Sequence, residues 1–516
     1  MSTARTSATP RQPSRVSRAL VAAALVSASA CAPVGPDFVR PDVPVQPEWL
    51  DAELAEFETS EPELVEWWRQ LEDPVLDQLI ALAYERNNSL KIAGLRVIEA
   101  QAALNIAIGN QYPQVQVLTG DATAVGQSKN RADGDTSESS FRQANLAGTI
   151  SWEIDFWGRF RRAIEAADAN LLANVADYDD VMVLVTAGVA DTYTIIRTFE
   201  EQLRLARDSF AIQQRSYEIA EVLYRNGVNS ELDALQAKTL LLGTEATIPA
   251  LEIGLRQAKN ALSVLLGMAP GEVDALITSS SGLPTVPESV AVGLPAEQLR
   301  QRPDVRRAEL SALAQNALVG VATANLYPSF SLNGNLGLGT TDAGSSGLGD
   351  LINGDSTSYA IGASFVWPFF NYGRIRNNIR VEDARLQQAL VAYRETVLQA
   401  AREVENAMTA LSGTRDQADI LKEGVDTAQR SADLSLLRYQ EGFADYQRVL
   451  NAQQSLFSQQ QRYATSRGDV LRSLIALYRS LGGGINQERP FVDPAMRDEM
   501  QERTHWGDVI ETSPER

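Results

Sequence analysis

The chain is short of the residues that most often carry chemistry. Of 516 residues, one is cysteine and one is histidine. A single cysteine excludes an intramolecular disulfide. The lone His505 cannot build a typical His/Cys metal site, and no Ser/His/Asp or Cys/His arrangement can be assembled. The glycines between 334 and 354 lack the strand-to-helix setting of a dinucleotide loop. Asp155-Phe156-Trp157-Gly158 has no nucleotide or catalytic loop to accompany it. The chain therefore reads as no enzyme, with no catalytic residue, no metal site and no cofactor. Positive charge is also in deficit: 46 Lys and Arg against 66 Asp and Glu give a net charge of −20. That disfavours nucleic acid, which is held by basic stripes, and suits an acidic surface or lumen. No stretch beyond the N-terminal leader reads as a transmembrane helix, which takes ~20 apolar residues. A chain of this kind that crosses a membrane must do so as a closed barrel.

What is present is a long heptad seam. Tyr393, Val397, Ala400, Val404, Ala407, Leu411, Ala418, Leu421, Val425, Ala428, Ala432 and Tyr439 step by four and three, with Thr414 and Ser435 as the polar entries. That spacing predicts a helix packed along its whole length against other helices. No proline interrupts residues 373–442, so the helix is expected to reach roughly 100 Å. Subtracting 215 from each number recovers a second seam, from Tyr178 through Met182, Val189 and Ile196 to Tyr224. The landmarks keep the same offset of 215: Tyr112-Pro113 with Tyr327-Pro328, Trp157-Gly158-Arg159 with Tyr372-Gly373-Arg374, and Leu266-Gly267 with Leu481-Gly482. The chain is a tandem duplication, each half carrying one very long helix.

The N-terminus reads as a secretory signal over residues 1–30. Arg5, Arg11, Arg15 and Arg18 precede the apolar run 19–26, and Ser27-Ala28-Ser29-Ala30 lead to Cys31. A lone cysteine at the cut site is expected to be a bacterial lipoprotein lipidation site. Ala32, following it, favours sorting to the outer membrane.

Residues 31–66 are proline-rich and expected to form an extended strap. Repeat 1 spans 67–267, a linker spans 268–294, repeat 2 spans 295–482, and 483–516 is an acidic tail expected to be mobile. Asp73-Pro74 is a helix start, and a break is expected near Asn87. The helices returning from the long ones are expected over 231–266 and 446–481.

Strands are expected near 114–122 and 143–156 in repeat 1, and near 329–338 and 358–369 in repeat 2. Along 145–156 the even positions Leu146, Gly148, Ile150, Trp152, Ile154 and Phe156 are mostly apolar. The odd ones, Asn145, Ala147, Thr149, Ser151, Glu153 and Asp155, are polar or small. This is period-two alternation. Roughly ten residues is the length of a tilted membrane-crossing strand. Trp152, Trp157, Trp367, Phe369 and Tyr372 crowd one end like an interfacial aromatic girdle. Four strands cannot close a barrel. Eight from two copies would be filled by side chains, whereas twelve from three copies would leave room for water. The expected fold is an α+β membrane protein: a homotrimeric twelve-stranded β-barrel, four strands per protomer, continuous with a twelve-helix periplasmic α-barrel.

The long helices are expected to end at Tyr224-Arg225-Asn226-Gly227 and Tyr439-Gln440-Glu441-Gly442, glycine supplying the left-handed residue. Polar groups gather there, among them Glu231, Asp233, Asp445, Gln447, Arg448 and Asn451. Ringed around an axis, like charges would attract cations.

These features together resemble the TolC/OprM-like outer-membrane efflux proteins, specifically the outer-membrane lipoprotein subunits of resistance-nodulation-division systems. The resemblance covers roughly residues 31–484. It rests on the stretch from Cys31 to Pro41, on Tyr-Pro before each strand pair, on Trp157-Gly158-Arg159 and Tyr372-Gly373-Arg374, and on Leu481-Gly482-Gly483-Gly484. It implies an exit duct passively conducting small molecules or drugs, a belt midway along the tunnel, a periplasmic adaptor docking at the hairpin tips and a proton-driven inner-membrane transporter. It also implies a lipid-anchored place in the outer membrane. Gln447, Asn451 and Gln454 stand where family members carry a constricting leucine, a carboxylate and an arginine. With that departure, Glu231 and Asp233 become the expected acidic part of the periplasmic aperture. Two other classes are compatible with the residues: a protein-secretion duct, marked by loss of a secreted protein on deletion, and a coiled-coil scaffold without a pore, marked by zero conductance.

Overall fold

The structure, a computed structural model, describes residues 33–54, 56–126, 128, 140–228, 230–277, 282–343, 347–441, 443–486 and 488–510. In the first half the elements are α1 (Pro74–Arg86), α2 (Asn88–Gly109), β1 (Val115–Gly126), β2 (Ser140–Ile154), α3 (Arg159–Arg225), α4 (Glu231–Glu245) and α5 (Thr247–Leu265). In the second they are α6 (Pro303–Ala324), β3 (Ser329–Thr341), β4 (Thr357–Val366), α7 (Arg374–Gln440) and α8 (Tyr446–Ser480), and α9 (Pro494–Thr504) follows. The duplication is a duplication of elements. Helices α2 and α6, α3 and α7, and the pair α4–α5 and α8 begin and end 215 residues apart. Both long helices have 67 residues, which is roughly 100 Å of helix.

The chain divides into two compact units: residues 1–40, 100–171 and 310–391, and residues 41–99, 172–309 and 392–516. The first unit holds a four-stranded sheet in the order β1-β2-β3-β4, antiparallel at every joint.

The second unit holds the seams. Tyr178, Met182, Val189 and Ile196 of α3, and Val397, Ala400, Val404 and Leu411 of α7, are buried, each large side chain contributing about 1.5–3 kcal/mol by leaving water. Helices α3 and α8 approach closely at Gly468, where an added Cβ would lie 2.3 Å from Thr198. Gln202 Nε2 donates to Thr465 (2.8 Å), Gln461 Nε2 to the Gln202 carbonyl (2.9 Å), and Arg472 pairs with Asp191 (2.8 Å). Where α6 begins, Arg302 bonds Asp304 (2.8 Å), Glu403 (2.7 Å) and the Ser480 carbonyl (2.5 Å). Arg307 pairs with Asp177, and Arg96 joins Asp177 at 3.5 Å. Asp180 lies beside them, and burial pushes its carboxyl up to about 6, with the Asp304 charge adding to the effect.

The Asp73 carboxylate accepts from Val75 and Leu76 N–H and starts α1. Asn87 ends α1, and its side chain accepts from Leu90 N–H (3.0 Å) to open α2.

Three expectations need correction. The return helix expected over 231–266 is broken at Ala246 into α4 and α5. Pro249 has no N–H to give to the Glu245 carbonyl, so the first helix cannot run on through it. The tail is anchored rather than mobile among its described residues. Phe491 packs edge-on against Tyr178 (5.0 Å), Asp493 caps α9 and pairs with Lys91 (3.4 Å), and Met500 and Ile510 bury against Ile98. Finally, α2 and a window of α3 do reach the length and apolarity of a membrane span, with mean hydropathy 1.3. In α3 the window is 61% buried inside the chain, so its apolarity is that of a packed seam.

Residues 33–46 of the strap carry no helix or strand, Ala52 and Leu54 N–H then bond back three residues in tight turns, and the later part knits into the second unit. Phe57–Glu58 pairs in parallel with Val290–Ala291 of the inter-repeat linker, and Trp49 Nε1 donates to the Gly293 carbonyl (3.1 Å).

Candidate conduit wall and helical tips

The strand register sorts side chains cleanly onto two faces. Leu146, Gly148, Ile150, Trp152 and Ile154 of β2 stand opposite Leu338, Leu336, Gly334, Leu332 and Phe330 of β3. On β4 the row continues with Tyr359, Ile361, Ala363 and Phe365. The other face is amide and hydroxyl. Ser151 Oγ donates to Asn333 (2.7 Å), Asn333 Nδ2 to Ser364 (2.8 Å), Asn335 Nδ2 to Thr149 (3.1 Å) and Asn145 Nδ2 to Asp121 (3.2 Å). The apolar face is bare: Leu118, Leu336, Tyr359, Ile361 and Phe365 are exposed. A contiguous apolar face on a folded chain marks a lipid or protein contact.

The aromatics expected at the interface are fixed by repeat-matched hydrogen bonds. Trp152 Nε1 donates to the Gln111 carbonyl (3.1 Å) and Trp367 Nε1 to the Leu326 carbonyl (3.0 Å). Each indole, Trp152 within β2 and Trp367 just past the end of β4, thus ties that end of the sheet to the residue before Tyr-Pro. Trp157 donates to the Pro328 carbonyl (2.9 Å) and stacks on Tyr327 at 4.5 Å. Phe369 and Tyr372 are exposed, and Tyr372 takes the left-handed conformation at φ 49°.

A clamp that sequence reasoning missed lies beside Trp157. Val34 N–H donates to the Trp157 carbonyl (3.0 Å), and an added Cβ on Gly158 would meet Pro33 at 2.4 Å. Arg162, nearly buried, bonds Asp37 (2.6 Å) and Glu165 (2.7 Å), and Asn316 Nδ2 donates to the Pro36 carbonyl (2.9 Å). Its only local signal was three arginines in 159–162. Cys31, the expected lipidation site, lies outside the described residues, two positions before Pro33.

At the helical tips, Gly227 is left-handed at φ 72°. Val228 N–H bonds the Leu223 carbonyl (2.9 Å), and Phe443 N–H bonds Arg438 in the same way (2.8 Å); Gly442 itself lies outside the described residues. Tyr224 is exposed, whereas Tyr439 packs on Tyr446 at 5.1 Å. Glu231 sits in the exposed first turn of α4. Asp233 is tied into a capping box with Ser230, each bonding the other's backbone N–H at 3.4 Å. Asp445 caps α8 through Arg448 N–H (3.2 Å). Gln447, Asn451 and Gln454 form one exposed stripe on α8, with Gln447 Nε2 donating to Asn451 (2.8 Å). Beneath them Ala220, Ala237, Tyr446, Val449 and Leu450 form a small core joining the two hairpins. Burial pushes the Tyr446 hydroxyl up to about 12, and the nearby Asp233 charge adds to the effect.

A sheet with one lipid-like face and one water-like face, carried on a chain with two 67-residue helices, defines a membrane conduit subunit. The profile of the family described as outer membrane efflux protein matches residues 79–268 and 294–483, two stretches at the offset of the repeat. The chain is 32% identical over 428 residues to the pyoverdine export outer membrane protein OpmQ of Pseudomonas putida, covering 82% of this chain and 89% of that protein. It is 29% identical over 455 residues to the cation efflux system protein CusC of Escherichia coli, covering 88% and 96%. Among solved structures, the outer-membrane channel OprN superposes with a TM-score of 0.80 at 30% identity, over 87% of this chain and 99% of that one. The chain belongs to the outer membrane efflux protein family, and it is an outer-membrane efflux channel.

Proposed function

We propose that three copies close the sheet into a twelve-stranded barrel that conducts small molecules passively across the outer membrane. The observation that carries this reading is the two-faced sheet with two open edges, β1 and β4. The four strands alternate in direction, so β4 of one copy can add β1 of the next antiparallel, and a ring leaves no edge. Eight strands would be filled by side chains. Twelve leave a lumen lined by Asn145, Thr149, Ser151, Asn333 and Asn335. The exposed apolar side chains of the helical hairpins, among them Leu232, Leu235, Leu242, Val391, Leu398 and Ile420, would be covered by neighbouring copies in a twelve-helix periplasmic tube. At its tip a periplasmic adaptor would dock, coupling the duct to an inner-membrane transporter. Threefold symmetry would ring Glu231 and Asp233 with Gln447, Asn451 and Gln454 around the aperture. A lipid on Cys31 would anchor the strap.

Deleting the gene should sensitise cells to exported compounds while the pump is intact, and the purified protein should give single-channel currents in a planar bilayer. Unchanged susceptibility across a broad panel contradicts the efflux role. Zero conductance contradicts the pore. Cys31→Ser should abolish lipid labelling, and persisting label contradicts the anchor.

A further inference from the structure

The two repeats treat the same junction differently. In repeat 1, where the sheet passes into α3, every arginine has a carboxylate: Arg159 pairs with Glu153 (2.8 Å), Arg161 with Asp155 (3.2 Å), and Arg162 with Asp37 and Glu165. The strap lies over Gly158. In repeat 2 the first two arginines recur as Arg374 and Arg376, but their counter-ions do not. Pro368 stands in place of Glu153, Phe370 in place of Asp155, and Asn377 in place of Arg162. Arg374 and Arg376 are exposed and form no ion pair among the described residues. Arg374 shares a recess of about 420 Å³ with Glu153 and Asp155, yet both carboxylates are already held by Arg159 and Arg161. Glu382, further along α7, is held by Gln315 and Arg385. Just before the two cations in the chain, Phe369, Phe370 and Tyr372 are 68%, 81% and 101% exposed, and among the described residues no strap atom comes within 4 Å of a Cβ added at Gly373.

Retained cations, lost counter-ions and added exposed aromatics suit a ligand with an anionic head and an apolar tail. We infer that Arg374 and Arg376 bind the phosphate of an anionic phospholipid, whose acyl chains lie against Phe369, Phe370 and Tyr372. Aromatic rings sit at the headgroup level of a bilayer, and basic side chains beside them draw anionic lipid. The ligand completes in repeat 2 the neutralisation that Glu153, Asp155 and the strap supply in repeat 1. This inference rests on the membrane-sheet reading above.

The test uses the full-length protein in nanodiscs of phosphatidylcholine doped with phosphatidylglycerol, with retained lipid counted by native mass spectrometry. The wild type should retain phosphatidylglycerol in preference to phosphatidylcholine. Arg374→Gln with Arg376→Gln should lower that preference about thirtyfold. Arg374→Lys with Arg376→Lys should keep it, and Arg402→Gln with Arg430→Gln, removing exposed arginines elsewhere, should leave it unchanged. An undiminished preference in the glutamine pair overturns the inference. So does displacement by inorganic phosphate as readily as by phosphatidylglycerol, which would mark a free-anion site. A change in subunit association without a change in retained lipid also overturns it, because the arginines then face another copy. A wild type that fails to enter nanodiscs contradicts the membrane-sheet reading itself; entry without lipid preference contradicts this inference alone.

Discussion

The first repeat is closed and the second is open. Both build the same long helix, the same strand pair and the same indole bond to the residue before Tyr-Pro. They differ where sheet meets helix. Repeat 1 surrounds Arg159, Arg161 and Arg162 with its own carboxylates and lays residues 33–37 over them. Repeat 2 leaves Arg374 and Arg376 exposed, a few residues after the exposed Phe369, Phe370 and Tyr372. They differ again in the return helix, which Pro249 breaks in repeat 1 and which runs unbroken through Ala464 in repeat 2. Duplication fixes what the assembly needs twice, the wall and the seam. What differs is free to take a second role: repeat 1 docks the strap, and repeat 2 leaves two arginines and three aromatics exposed.

The largest effect should be common to both repeats. Ile150→Arg and Leu336→Arg each place a charge on the apolar face and should cost about 2–4 kcal/mol of membrane stability. Asn335→Arg, one residue away on the other face, should leave stability near wild type and alter conductance. Urea unfolding in vesicles measures this, and tolerance of arginine at position 150 but not 336 would mean the repeats do not share a wall. The next effect should belong to repeat 1 alone. Arg162→Ala should cost about 1–3 kcal/mol through lost charge-assisted bonds and expose residues 33–37 to protease. Asn377→Ala should stay within about 0.5 kcal/mol. At the tips the repeats should again agree: Ser230→Ala and Asp445→Ala should each cost about 1 kcal/mol of cap, read by hydrogen exchange in the first turns of α4 and α8.

The smallest effect is pH-dependent. The Asp180 carboxyl rises from 3.8 to about 6 on folding because it is buried. The folded state therefore holds the proton more tightly. The associated stability is fully present below pH 3.8 and is lost as the pH rises through about 6. Asp180→Asn should remove on the order of 1 kcal/mol of that change between pH 5 and pH 7. Its counterpart Glu395 is exposed and accepts from Gln399 (2.7 Å).

The local patterns were legible in the sequence and the long-range contacts were not. Heptad spacing gave both long helices and even-odd alternation gave β2 and β4, because each pattern is written within a dozen residues. Strand β2 runs back to Ser140, further than expected, because Arg142 and Gln143 interrupt the alternation while still pairing with Ala124 and Thr123. The break at Ala246 was written in Pro249 and outweighed by the apolar residues around it. The tail's acidity hid Phe491, Met500 and Ile510, which bury against residues more than 300 positions earlier. The Arg162–Asp37 bond spans 125 residues, and no periodicity announces such a contact. At the tips, the acidic residues expected to shape the aperture include one, Asp233, whose carboxylate caps its own helix.

The most direct test of the central claim is an image of the purified particle in lipid. This account predicts threefold symmetry with twelve strands around a water-filled hollow that continues between the helices. A solitary chain, or an assembly whose strands enclose no central hollow, would contradict it.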